Sequence, residues 1–117
     1  MNNVYRKNLT EPWFYYMENK EKTVEGRLNR DDWMSMNVGD VIIFVNKQTG
    51  FKRTIQVKIV QINLYDSFQL YLEKEGLKNC LPGIETMEKG LEIYHKLYST
   101  EEEQMYKVKA LHVEIMS

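Results

Sequence analysis

Apolar residues in this chain change their spacing several times, and each change marks an expected element. Trp13, Phe14 and Met17 make a short helical stripe after Thr10, a candidate cap, with Pro12 in the first turn and Asn19 as the stop. Residues 23–28 alternate as a strand. Asn29-Arg30-Asp31-Asp32 is a polar turn, and Asp31 or Asp32 can cap a short turn carrying Trp33 and Met36. Val38-Gly39-Asp40 then leads into Val41-Ile42-Ile43-Phe44-Val45, apolar on both faces as a central strand is. A hairpin loop over residues 46–50, with Gly50 free to take a positive φ, connects to a long strand over residues 51–64.

That long strand carries its own signal. Ile55, Val57 and Ile59 are odd-numbered, whereas Val60, Ile62 and Leu64 are even. One face cannot stay on the core through that change of parity without an extra residue, which predicts a β-bulge near Ile59-Val60. Asp66-Ser67-Phe68-Gln69 has the form of a capping box opening a helix, with Phe68, Tyr71 and Leu72 inward and Gly76 at its end. After the Leu81-Pro82-Gly83 turn, Thr86 caps a second helix bearing Met87, Leu91, Tyr94 and Tyr98 at helical spacing. Thr100 caps a third, with Glu103 in the capping-box position. Residues 107–115 alternate again, Leu111, Val113 and Ile115 inward and His112 and Glu114 outward.

The order helix, strands, helices, closing strand predicts an α+β fold. It reads as a small mixed β-barrel of five to six strands with three to four helices packed at its ends and side. The chain of 117 residues is expected to be one domain over 1–117, with its core over about 8–115. With 43% hydrophobic and 28% charged residues it needs no metal or disulfide to build a core. A net charge of −1 argues against bulk electrostatic capture of nucleic acid, but 16 cations are enough to line a local basic groove.

Cys80 is the single cysteine and His95 and His112 are the two histidines, so no metal site and no cofactor are expected. No apolar run reaches membrane-spanning length and the first ten residues hold no signal-peptide core. The expected location is the cytoplasm, or the nucleus by diffusion, with a monomer or weak homodimer as the oligomeric state.

The most informative stretch is Lys22-Thr23-Val24-Glu25-Gly26-Arg27. Strand alternation places Lys22, Val24 and Gly26 on one face and Thr23, Glu25 and Arg27 on the other, so Glu25 and Arg27 are expected to pair. Two readings stay open. One is an ordinary edge strand with a surface ion pair; the other is the polar floor of a cleft in which Gly26 admits a ligand or another backbone. A single-stranded nucleic acid or nucleobase wants aromatic faces and cations. Trp13, Trp33, Tyr16 and Tyr65 supply faces, and Lys22, Arg27, Arg30 and Arg53 supply charge, although core packing also accounts for the aromatics. Tyr94 and Tyr98 read as the buried stripe of their helix.

Glu11-Pro12-Trp13, the segment over 22–27, Val38-Gly39-Asp40 ahead of an Ile-Ile-Phe strand and Leu81-Pro82-Gly83 occur in an order that resembles the ASCH domain family of the PUA-like superfamily. Gly90-Leu91-Glu92-Ile93-Tyr94 and Tyr98-Ser99 extend the likeness to the small bacterial and viral members, over about residues 8–115. The resemblance implies a PUA-like barrel of five or six strands with a cleft between barrel and helices that binds RNA or a nucleotide. One branch of the family hydrolyses the acetyl amide of N4-acetylcytidine with a lysine, a threonine and a glutamate. The lysine falls on Lys22 and the glutamate on Glu75, with Glu73 as the alternative. The threonine, three residues after the lysine, falls on Glu25, and Thr23 belongs to the opposite strand face. This departure leaves a Lys22, Glu25, Glu75 set for any amidohydrolase activity on an N4-acylated cytidine, and Trp13, Lys22, Glu25, Arg27, Arg30, Trp33 and Arg53 for ligand binding.

Overall fold

The computed structural model describes residues 2–116, so both ends of the expected 1–117 domain lie just outside the described residues. Five strands form one curled half-barrel sheet: β1 (Val4–Asn8), β2 (Val24–Leu28), β3 (Val41–Asn46), β4 (Arg53–Tyr65) and β5 (Val108–Ile115), in the spatial order β1-β3-β4-β5-β2. β1 runs parallel to β3 and all other pairings are antiparallel. Among the described residues six helices accompany them, α1 (Trp13–Glu18), α2 (Asp32–Ser35), α3 (Phe68–Glu75), α4 (Leu77–Cys80), α5 (Met87–Leu97) and α6 (Thr100–Tyr106). α2 and α4 are single turns of four residues, which accounts for the excess over the expected three to four helices.

The parity break in β4 is a bulge. Ile59 pairs with Val113 and Gln61 with His112, leaving Val60 as the extra residue. Ile55, Val57 and Ile59 therefore point into the half-barrel before it and Ile62 after it, while Asn63 and Tyr65 turn to the outer, helix-covered face. The sheet thus separates two cores. Phe14, Met17, Trp33, Met36, Ile42, Phe44, Leu111 and their neighbours fill the concave side. Phe68, Tyr71, Leu72, Tyr94, Leu81 and Cys80 pack on Val24, Leu28, Val108 and Ala110 outside. Leu111, Val113 and Ile115 face the concave core and His112 and Glu114 face away, as expected, while the first half of β5 is buried on both faces.

β1 was not anticipated. Only Val4 and Tyr5 in it are apolar, and it is a half-exposed edge strand whose partner lies beyond α1, β2 and α2. Its cations suit an edge that must not pair with another chain. The turn before β3 secures it: the Asp40 carboxylate accepts from Asn3 N at 2.9 Å and Asn37 N at 2.8 Å, with Gly39 at φ +98 making the bend.

Four caps differ from expectation. Asp31 stands at the start of α2, but its side chain makes no cap hydrogen bond. Thr10 gives α1 no side-chain cap; Glu11 accepts from Tyr15 N instead. Ser67 caps α3 in place of Asp66, and Ser99 forms the capping box of α6 with Glu102 in place of Thr100 with Glu103. Each of the last two shifts by one residue. Glu103 is buried and accepts from Phe68 N at 2.6 Å, tying α6 to the start of α3.

Candidate functional site

The half-barrel is open between its edge strands, and Arg27 on β2 donates from Nη2 to the Asn8 carbonyl on β1 at 3.0 Å across the gap. Over this seam lies a cleft of about 280 Å³. Lys22, Glu25, Gly26 and Arg27 form its floor, Asn8, Leu9, Thr10 and Trp13 one wall, and Tyr94, Leu97 and Tyr98 of α5 and the segment after it the other.

The floor is a buried chain of charge. Lys22 is 2% exposed and donates to the carbonyls of Val24 and Cys80, each at 2.6 Å, with Glu25 Oε1 at 3.1 Å. These partners take all three donors of the ammonium group. Arg27 Nε donates to the other oxygen of Glu25, and the Arg27 guanidinium lies 4.5 Å from the centre of the Trp33 ring. Strand alternation accounts for the Glu25–Arg27 pair but not for Lys22. The strand begins only at Val24, so Lys22 folds back instead of pointing away with Val24 and Gly26.

Gly26 makes room for one neighbour. A Cβ there would lie 2.4 Å from the Tyr71 ring, so the missing side chain makes room for Tyr71 of the outer core, not for a ligand. Its backbone is another matter. Thr23 O accepts from Val113 N and Asn29 N donates to Lys107 O, which directs the amides of Glu25 and Arg27 toward β5 as well. The N–H and C=O of Gly26 therefore face the open edge, where neither has a partner among the described residues. Arg27 adds the donors it does not spend on Glu25 and Asn8.

The aromatic wall is preassembled. Phe68 stacks between Tyr94 and Tyr98, with centroid separations of 4.3 and 5.6 Å. Arg30 braces Tyr98 from behind: its guanidinium sits 5.8 Å from that ring and 5.3 Å from Tyr106, and Nη1 donates to Glu102 at 2.7 Å.

The remaining sequence candidates are placed elsewhere. Trp33 is buried beneath Arg27 and does not line the cleft. Arg53 pairs with Glu11 and covers the Phe14 ring at 4.7 Å. Glu75 belongs to a separate cluster on the helical side, accepting from Asn63 and Tyr65 at 2.7 Å each and standing 2.7 Å from His112 Nε2. Burial alone would raise its pKa, but these partners hold it below the usual carboxylate value, while Tyr65 is pushed up to about 12 by burial and the Glu75 carboxylate. The structure thus brings Trp13, Lys22, Glu25 and Arg27 together around one cleft and leaves Glu75 outside it. Tyr94, Tyr98, Leu97 and Asn8 are cleft residues that sequence reasoning missed. The one available signal was Tyr98, which lies past the last turn of α5 and so need not be core.

The model of the ASCH domain matches residues 8–117. This chain belongs to the ASCH domain family. Among solved structures, the crystal structure of hypothetical protein PH0355 is similar at 33% identity and a TM-score of 0.87, covering 97% of this chain and 99% of that one. The solution structure of protein PF0455 from Pyrococcus furiosus is similar at 33% identity and a TM-score of 0.79, covering 97% and 98%. No curated protein matches the chain significantly. ASCH domains are PUA-like modules that generally bind RNA. No helix among the described residues of this ASCH domain is long and apolar enough to cross a membrane.

Proposed function

We propose that the seam cleft of this ASCH domain binds a nucleobase, presented by single-stranded RNA or by a modified nucleoside. The observation that carries the reading is the unpaired Gly26 edge beside the buried Lys22–Glu25–Arg27 chain. A base edge presents donors and acceptors side by side, and the floor answers with the Gly26 N–H, the Gly26 C=O and the free Arg27 donors. Trp13 and Tyr98 place aromatic rings at the walls.

A buried ion chain also costs desolvation that apolar residues of similar volume would avoid, so stability alone is a weak reason to find one here. Fixing the orientation of Arg27 and of the strand edge toward a ligand is a better one.

The alternative, an amidohydrolase acting on an N4-acylated cytidine, has no specific observation behind it. Lys22 has given its donors to Val24, Cys80 and Glu25, and Glu75 is engaged by Asn63, Tyr65 and His112.

Calorimetric titration of the wild-type protein with a panel of free nucleosides, acetylated cytidine included, tests the binding reading. Saturable binding of at least one nucleoside, weakened in Trp13→Ala, is the expected result. Heats that never saturate for any nucleoside and for short single-stranded RNA would overturn it.

A further inference from the structure

The cleft does not end at its rim. Asn8, Leu9 and Thr10 line both the cleft and a second hollow of about 420 Å³, and Asn8, Val45 and Lys47 carry that hollow into a third groove of about 460 Å³. The three form one path around the end of β1. Arg6, Lys7, Lys47 and Lys52 line the outer groove, and no carboxylate does.

Their pairing is uneven. Lys7 is held by Asp32 at 2.8 Å and faces the Trp33 ring at 5.3 Å. Arg6, Lys47 and Lys52 have no ion-pair partner among the described residues. Lys47 and Lys52 flank the hairpin just beyond the Asn46–Arg53 pair, so two like charges share one side of a groove. Facing like charges are destabilising unless something neutralises them. In a chain of net charge −1, this is local segregation and not a general basic surface.

We propose that Arg6, Lys47 and Lys52 hold the phosphodiester backbone of a single-stranded nucleic acid whose base occupies the seam cleft. The ligand is then a polymer and not a free nucleoside. This rests on the base-binding reading of the cleft and extends it. Lys side chains act on phosphate as point charges and Arg6 as a planar fork, which suits a backbone read without regard to sequence.

The test compares wild type with Lys47→Ala/Lys52→Ala, both sites being exposed and remote from the two cores. Fluorescence anisotropy with labelled single-stranded RNA, roughly 4–16 nucleotides long, is run over a range of salt, beside DNA of the same sequence and the RNA duplex. Three backbone contacts give a log Kd versus log salt slope of about 2 in magnitude, falling by about 1.4 in the double variant. RNA and DNA single strands share that slope, the duplex binds more weakly, and free-nucleoside affinity is the same in both proteins.

An unchanged slope, a duplex bound as tightly as the single strand, or RNA held no tighter than the nucleoside overturns the proposal. In those cases saturable nucleoside binding keeps the cleft reading standing. If neither nucleoside nor RNA binds wild type, both readings fall together.

Discussion

Glu25→Ala is expected to lower the free energy of unfolding by about 3–5 kcal/mol, the range for breaking a buried ion pair by removing one partner. The carboxylate is 6% exposed and sits between two cations. Without it, the Lys22 ammonium keeps only the carbonyls of Val24 and Cys80, and Arg27 keeps only the Asn8 carbonyl and the Trp33 ring. Urea denaturation measures the loss as a shift in midpoint at unchanged slope.

The deficit should depend on pH. Burial by itself raises the Glu25 pKa, but Arg27 and then Lys22 overcome it and hold the carboxyl below 4.5. A folded-state pKa below the unfolded value means that the contribution is complete above about 4.5 and disappears as pH falls through the lowered value. Wild type and Glu25→Ala should therefore converge on acidification. A difference under about 0.5 kcal/mol at neutral pH, the usual scale for surface substitutions, would mean that Glu25 is solvated and the floor of the cleft is misplaced.

The second large effect concerns binding. Arg27→Ala is expected to weaken nucleoside or RNA binding roughly 10–100-fold, since a hydrogen bond from a charged group contributes about 1.5–3 kcal/mol. Arg27→Lys should not restore it. A lysine keeps a cation beside Glu25, and so keeps the fold, but it lacks the planar fork that lies on Trp33 while reaching Glu25, Asn8 and the cleft. Lysine-variant binding within about twofold of wild type would reduce Arg27 to a charge and remove it from base recognition. Twofold is far inside the expected loss.

How far these features could be read in advance depends on where their partners lie. The β4 bulge was legible because the parity change from Ile59 to Ile62 is local and strand geometry permits only one remedy. The Glu25–Arg27 pair was legible for the same reason. β1 was not, because its hydrogen bonds go to β3, far along the chain, and its exposed face carries Arg6 and Asn8. Caps slipped by one residue where two capping side chains adjoin, as at Asp66-Ser67 and Ser99-Thr100, and only the path of the chain chooses between them.

The cleft was half legible. Its floor is one contiguous segment, but its far wall is made by tyrosines at helical spacing, which read as core and do pack as core around Phe68. Only the place of Tyr98 just past the last turn of α5 hinted that the same rings face the seam. Nor did the sequence announce that Glu75 would join Asn63 and His112 on the outer face, since that grouping brings together α3, β4 and β5.

The most direct test is an amide spectrum of nitrogen-labelled protein during titration with the nucleoside or short RNA that binds best. The Gly26 amide is expected to move furthest, as its free N–H acquires a partner, together with the Trp13 indole and the Arg27 side chain. Saturable shifts confined to other surfaces, with the Gly26 amide unmoved, would contradict it.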